Sequence, residues 1–341
     1  RKPVMLDTFF FAFNAVTPML LLMLLGCWLK AKHFFDDALL KKMNSFTFRF
    51  CISAMMFRNI YSLSSLEDIH LNIMGYVIVS SLVLTGMGWV ESRLFTARRE
   101  RRGIMIQNAF RSNFAIIGTT LAFSLGGAEG GAISASMQAP AIIYYNVVAV
   151  LCLTIYSDRP DRAVDVRGIL KEIVTNPMIL GQVAGLICLA IRMFIPRDAQ
   201  GELVFSLAGD LPFLYSAIDS LASVASPMIL ILLGAQVNFS AVGDMKKELA
   251  VGVVQRLVLA PAAGFGMAFL AQRLGVFAVT PAVISALVGL YGSPVAAASA
   301  VMAEEMGGDA ELARQYVVWT SALSMGTLFL WIFLLRTLQL I

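Results

Sequence analysis

The chain has 341 residues, of which 58% are hydrophobic and only 14% charged, and its formal net charge is +4. A soluble domain carries about 25% charged residues, so this composition predicts an integral membrane protein and excludes a soluble fold. The small positive charge comes mostly from short loops, which indicates membrane topology rather than nucleic-acid binding.

Ten apolar segments are long enough to cross a membrane, which takes about 20 mostly apolar residues. They cover residues 5–29, 38–60, 71–94, 103–126, 130–157, 175–195, 211–237, 248–272, 279–305 and 310–337. We expect all of them to be helices, so the predicted fold class is an all-α membrane protein with ten transmembrane helices. Several are weakly hydrophobic, and such spans usually turn their polar side toward other helices or a water-filled cavity.

The orientation follows from the distribution of lysine and arginine, which are enriched in cytoplasmic loops. Loops one, three, five, seven and nine hold sixteen of the 26 basic residues, and the opposite side holds seven. Arg49, Arg111 and Arg256 remain within the spans. We therefore expect a multi-pass protein of the inner or plasma membrane with both termini outside the cytoplasm.

The longest charged linker, Ser157–Glu172, divides the chain into two halves of five spans each. An odd number of spans per half means that the halves insert in opposite orientations, as in inverted-topology repeats. We predict a first repeat at residues 1–158, a cytoplasmic linker at 159–174 and a second, inverted repeat at 175–341. The fourth span of each half is interrupted, so spans four and nine correspond.

The two interruptions consist of residues that a lipid-facing helix avoids. Span four holds Gln107, Asn108, Arg111, Ser112 and Asn113, followed by Gly118, and span nine holds Gly292, Ser293 and Pro294. Proline removes one N–H and clashes with the preceding turn, and glycine permits unusual dihedral angles. Interrupted spans at matching places in two halves are the best sequence pointer to a transporter binding site.

Arg111 and Asn113 each leave two interpretations open. Arg111 either lines a site, because an intramembrane charge is costly unless it is paired or hydrated, or snorkels to the cytoplasmic face. Asn113 either stabilises an unwound turn or presents its amide to a substrate. As substrate-binding residues we predict Asn108, Arg111, Ser112, Asn113, Gly292, Ser293, Pro294 and Val295. If Arg111 reaches the substrate, the helix must unwind there; otherwise Arg111 lines the cytoplasmic entrance.

Four pieces of the sequence resemble the auxin efflux carrier family, and in particular its bacterial, PIN-like members. They are Ala109–Thr119, Asn176–Leu180, Ala225–Gln236 and Leu290–Asp309. The similarity extends over essentially the whole chain. The chain departs from the family pattern in lacking prolines at Thr119–Thr120 and within Ile52–Phe57.

The resemblance implies two inverted five-helix repeats whose broken fourth and ninth helices cross, as in bile-acid transporters and sodium/proton antiporters. Spans one, two, six and seven would form a scaffold and a homodimer interface, and the others a transport domain that moves like an elevator. Asn113 and Pro294 fall on the family's crossover asparagine and proline. The family's substrates are auxin in plants and dicarboxylates in bacteria.

The leading hypothesis is a secondary carrier of a small organic anion. The breaks would aim positive helix ends and free N–H groups inward, Asn113 and Ser293 would add neutral donors, and Arg111 would supply the only positive charge near the crossing. The alternatives are a sodium- or proton-coupled carrier of a related fold, and a non-transporting sensor. We predict no enzyme activity, cofactor, metal site or nucleic-acid partner, and expect membrane lipid and a second copy of the chain as partners.

The predicted orientation is tested by single cysteines in a cysteine-free background. Glu129→Cys lies in an expected outer loop and Arg162→Cys in the cytoplasmic linker, so an impermeant maleimide should label only position 129 in intact cells. Position 162 should react after permeabilisation, which serves as the control. Labelling of 162 but not 129 in intact cells would reverse the orientation.

Overall fold

The computed structural model describes residues 2–62, 71–157, 171, 174–196 and 203–341, and this part of the chain is almost entirely helical. The α-helices are α1 (Lys2–Ala31), α2 (Asp37–Phe46), α3 (Ser53–Tyr61), α4 (Leu71–Phe95), α5 (Arg99–Phe110), α6 (Thr119–Tyr156), α7 (Pro177–Arg192), α8 (Leu207–Asp210), α9 (Pro212–Gln236), α10 (Lys246–Val254), α11 (Ala260–Arg273), α12 (Pro281–Gly292), α13 (Ala298–Met306) and α14 (Ala310–Thr337). Short π-helical turns at Thr47–Ile52, Phe114–Gly118 and Gln255–Leu259, and a 3₁₀ helix at Phe239–Met245, connect some of them. The all-α fold class is confirmed.

The apolar helices lie where the sequence predicts them. Among the described residues five helices are long and apolar enough to cross a membrane: Leu71–Phe95, Leu121–Tyr156, Pro212–Gln236, Phe239–Arg273 and Ala310–Thr337. The other predicted segments are covered by α1, by α2 and α3, by α7, and by the broken pairs that contain α5 and α12. That all ten segments cross, as two inverted repeats, stays a prediction, and most of the predicted linker lies outside the described residues.

Spans four and five meet at a glycine. Gly127 interrupts α6 with φ 61° and ψ −154°, a backbone conformation that residues with a Cβ rarely adopt. This position coincides with the boundary between the predicted spans, 103–126 and 130–157. We therefore expect the residues of α6 before Gly127 to complete the broken fourth span and those after it to form the fifth.

The helices pack into two groups. They are named here by the number of predicted apolar segments that they cover. The four-segment group comprises α1, α3, α7 and α9, with α2 at its edge, and the six-segment group comprises α4 to α6 and α10 to α14; α1 also packs against α14, which joins the two groups. In the four-segment group Gly181 and Gly185 form a small-residue packing face against α3. A Cβ on Gly185 would lie 3.0 Å from the carbonyl oxygen of Phe57.

The six-segment group is built around a tight contact between α6 and α12, which pack together extensively. Gly118 and Gly289 face each other there, and a Cβ on Gly118 would lie 2.7 Å from the carbonyl oxygen of Gly289. Gly118 itself has helical dihedral angles, φ −66° and ψ −42°. It was expected to belong to the break in span four, and that expectation is wrong: its missing side chain lets the two helices touch.

An ion-pair cluster at the start of α5 connects several helices of the six-segment group. The Arg101 guanidinium donates to Glu248 Oε1 at 2.9 Å and to Asp309 Oδ2 at 2.8 Å, and also to the Asp244 carbonyl oxygen at 3.1 Å. Arg101 is only 3% exposed. Burial lowers the pKa of Arg101, but the hydrogen bonds to the two carboxylates outweigh this and raise it. The start of α5 is thereby fixed to α10 and to the connection before α14.

The glycine contact is tested by adding one methyl group. Gly118→Ala should lower the free energy of unfolding by about 1–3 kcal/mol, because the new Cβ meets backbone that cannot move aside. Gly266→Ala is the matched control, since nothing lies within 4 Å of a Cβ there and alanine favours the helix. Thermal unfolding in detergent measures both. Equal stability of the two variants would mean that the α6–α12 contact is not close.

Candidate functional site

The two interrupted segments cross as a short antiparallel pair in the interior. Ser112 and Val295 form a β-bridge. The Asn113 N–H donates to the Pro294 carbonyl oxygen at 2.8 Å, and the Ala296 N–H donates to the Arg111 carbonyl oxygen at 3.2 Å. Each break thus supplies hydrogen-bond partners for the other, which an apolar interior requires.

Local sequence explains why both helices stop here. The residue before a proline is disfavoured in the helical region, and Ser293 is accordingly extended, with φ −65° and ψ 146°. Arg111 ends α5 with φ −84° and ψ 90°. The Ser293 hydroxyl donates back to the Gly289 carbonyl oxygen at 2.6 Å, and the Val295 N–H donates to Thr320 Oγ1 at 3.2 Å. Gly292 has no positive φ, so the break does not use the unusual dihedral angles that glycine permits.

A second buried arginine lies at the crossing, which corrects the expectation that Arg111 is the only positive charge there. Arg256 is 0% exposed. Its guanidinium donates to the Tyr291 carbonyl oxygen at 2.6 Å and to the Ala109 carbonyl oxygen at 3.3 Å. Ala109 and Tyr291 are the penultimate residues of α5 and α12, so one side chain binds the carboxyl ends of both half-helices. An arginine in the middle of span eight was the available signal.

A cavity of about 70 Å³ adjoins the crossing, between the two helix groups. The four-segment group lines it with Met55, Met56, Asn59, Ser226 and Ile229, and the six-segment group lines it with Arg111, Ser112, Asn113, Phe114, Ile142, Tyr145, Asn146, Ala296, Ala297 and Ala298. Amides and hydroxyls are mixed with apolar side chains. No aspartate or glutamate occurs among these described lining residues.

Arg111 is the charged member of the cavity lining, and it is 3% exposed. Its guanidinium donates to Asn146 Oδ1 at 2.8 Å and contacts Met302 Sδ at 2.7 Å. Asn146 is held in turn by a contact of 2.9 Å from its Nδ2 to Met56 Sδ. Within the described part of the chain Arg111 forms no ion pair, so its charge faces neutral groups.

The predicted site residues separate into two sets. Arg111, Ser112 and Asn113 line the cavity. Asn108 instead donates to the Gly252 carbonyl oxygen at 2.8 Å, and Gly292, Ser293, Pro294 and Val295 shape the crossing without lining the cavity. The Ser293 hydroxyl is committed to its own helix, so it is not the neutral donor that the sequence predicts. Asn59, Tyr145, Asn146 and Ser226 were missed, because single polar residues in apolar spans carry no local pattern.

A second cavity, of about 350 Å³, lies where α2 and α3 approach the start of α7 and the end of α13. It is lined by Phe48, Arg49, Thr175, Asn176, Pro177, Glu305 and Met306. Thr175 to Pro177 fall at the predicted cytoplasmic end of span six and Glu305 and Met306 at that of span nine, whereas Phe48 and Arg49 lie near the middle of span two. The cavity contains both a basic and an acidic side chain, so its charge does not select an anion.

An all-α fold of apolar helices with two crossed breaks, beside a cavity lined by both polar and apolar side chains, is typical of secondary membrane transporters. The chain belongs to the membrane transport protein family, whose model, described as "Membrane transport protein", matches residues 11–332. This is the auxin efflux carrier family, and the resemblance seen in the sequence is confirmed. The protein is therefore a membrane transporter. No curated protein matches the chain.

The role of Pro294 in the crossing is tested by Pro294→Ala. Without the proline, Ser293 regains access to helical dihedral angles, so α12 should extend and weaken the Ser112–Val295 bridge. Amide hydrogen exchange of peptides covering residues 111–113 and 293–296 should accelerate. Pro227→Ala, within the continuous helix α9, is the control and should leave these peptides unchanged. Unaltered exchange in Pro294→Ala would mean that other contacts hold the break open.

Proposed function

We propose that this transporter is a secondary carrier of a small organic anion with at least one carboxylate, such as a dicarboxylate or an auxin-like carboxylate. The anion binds in the cavity at the helix crossing. The observation that carries this proposal is the buried Arg111, which lines the cavity and has neutral partners.

A buried cation without a counter-charge is expensive, because desolvation of the ion is not repaid by an ion pair. The protein compensates differently at Arg101, where two carboxylates neutralise the guanidinium. At Arg111 an amide oxygen and a thioether provide partial compensation. Two of the five guanidinium N–H groups are used in this way, and those that remain suit a carboxylate, which arginine binds bidentately.

The start of α13 adds to the preference for an anion. Ala296, Ala297 and Ala298 line the cavity at this helix end. The helix dipole makes this end positive, which favours an anion. The side chains of Asn59, Asn113 and Ser226 add neutral donors around the fixed positive charge.

The position of the cavity supports an elevator-type mechanism. One wall belongs to the four-segment group and the other to the six-segment group, while the crossing belongs entirely to the six-segment group. A displacement of the six-segment group along the four-segment group would carry Arg111 and the anion across the membrane. In this proposal ten spans form two inverted repeats, the four-segment group provides a homodimer interface, and both termini are extracytoplasmic.

A sodium- or proton-coupled carrier of a related fold is the alternative within transport. Such carriers usually place carboxylates near the crossing, and the described lining residues of the cavity include none. A non-transporting sensor is the alternative outside transport. Liposomes that contain the purified protein distinguish a carrier from a sensor, because a carrier moves labelled carboxylate across the bilayer and a sensor only binds it.

A thermal-shift screen of mono- and dicarboxylates on the purified protein identifies the substrate class, since a ligand that binds the folded state raises the apparent stability. We expect carboxylates to raise the Tm in a saturable way and matched neutral amides to have no effect. A screen in which no carboxylate shifts the Tm or accumulates in liposomes would refute the proposal.

Substitution of Arg111 tests how the anion is held. Arg111→Lys replaces a bidentate fork with a point charge, and the loss of one charged hydrogen bond, about 1.5–3 kcal/mol, weakens affinity tenfold to a hundredfold. Arg111→Gln removes the charge and should weaken it further. Isothermal titration with the best carboxylate of the screen measures both variants.

Arg273→Gln, at the exposed end of α11, is the control, because it changes the net charge equally but lies outside the cavity lining. An arginine that only attracts anions at an entrance would leave affinity unchanged and give a salt-sensitive uptake rate. If Arg111→Gln preserves both affinity and rate, Arg111 is structural.

A further inference from the structure

Arg256 connects the two broken helices through their backbone. It lies in the π-helical turn Gln255–Leu259, between α10 and α11. Its guanidinium reaches one carbonyl in the last turn of α5 and one in the last turn of α12, and it is completely buried. Its hydrogen bonds in the described structure thus go to the main chain of both half-helices.

The electrostatic potential at the carboxyl ends of α5 and α12 favours a cation. The last carbonyl groups of a helix lack intrahelical donors, and the helix dipole places about half a negative charge at that end. Here two such ends converge in the protein interior. In transporters with discontinuous helices, such carboxyl ends and unwound carbonyls are the groups that coordinate a coupling ion.

We propose that the Arg256 guanidinium is a built-in cation that occupies the position of a coupling Na⁺ at the crossing. It neutralises both helix ends permanently, so the crossing keeps its shape whether or not sodium is present. The site binds no monovalent cation in the wild-type protein, and removal of Arg256 creates a site for one. This inference deepens the proposed carrier function by assigning its ion dependence.

The surroundings of Arg256 would remain polar without its side chain. Asn108, beside Ala109, binds the Gly252 carbonyl oxygen one turn before Arg256, and its own Oδ1 has no partner in the described structure. The Ala109 and Tyr291 carbonyl oxygens would lose the guanidinium donors. Oxygen atoms of this kind are the ligands that a hard cation such as Na⁺ prefers, so an emptied site would attract it.

The test compares thermal stability of the full-length protein in detergent with sodium chloride, with choline chloride, and with choline chloride plus low-millimolar guanidinium chloride, at equal ionic strength. The wild type should have the same Tm in all three. Arg256→Ala should lower the Tm in choline by roughly 5–15 °C, because two buried helix ends lose their counter-charge. Sodium or guanidinium should restore part of this loss in a saturable way.

Gln255→Ala is the matched control, since Gln255 is a fully buried neighbour in the same turn whose side chain makes no hydrogen bond to either helix end in the described structure. It should show no ion-specific recovery. If Arg256→Ala does not fold, Arg256→Lys provides the test, because the retained ammonium should keep the variant folded and insensitive to sodium. Recovery of Arg256→Ala no greater than that of Gln255→Ala would overturn the inference, as would a sodium-sensitive Arg256→Lys.

Carboxylate affinity and uptake of the wild type should also be unchanged when choline replaces sodium, and a sodium requirement would overturn the inference. The two proposals fail separately. A wild type that binds no carboxylate, with ion-specific rescue of Arg256→Ala, would refute only the carrier proposal. A working carrier without that rescue would refute only the role of Arg256.

Discussion

The structure depends on the hydrogen bonding of two helix breaks in an interior that offers no water. Each unpaired backbone group at membrane depth costs several kcal/mol, so a break survives only where the protein supplies partners. The crossing supplies them from both sides: the bridge between Ser112 and Val295, Thr320 from α14, and Arg256 from the turn before α11. Helices distant in the sequence are arranged around that requirement.

Three buried arginines show that the role of an arginine side chain depends on its partners. Arg101 is neutralised by two carboxylates and fixes helices to each other. Arg256 is neutralised by two helix ends and fixes the crossing. Arg111 has an amide and a thioether instead, and it borders a cavity. Arg111 differs from the other two because it lines a cavity and neither a carboxylate nor a helix carboxyl end compensates its charge in the described structure.

The sequence predicted the helices and both breaks, because apolar length and the pair Ser293–Pro294 act through local physics. It also placed Arg111 and Asn113 at the site. It misassigned Gly118, since a glycine that permits close packing looks the same in one dimension as one that ends a helix. The sequence showed Arg256 as a charge within a span but not its partners, and it gave no signal for Tyr145, because both roles arise from segments brought together only by tertiary packing. The backbone conformation of these segments is set by neighbouring residues in the sequence, whereas the hydrogen-bond partners of their polar groups come from distant segments.

The bridge between Ser112 and Val295 can form only late in the synthesis of the chain. About 180 residues separate its two strands, and a ribosome that adds 5–20 residues per second needs roughly 10–40 s to make them. During that interval the first half resides in the bilayer with an unfinished break and a lone arginine. Its carbonyl and N–H groups must be shielded by lipid headgroups, water or the insertion machinery. Completion of the second half ends this exposure, so an arrest of synthesis between the halves would leave the nascent chain in its most vulnerable form.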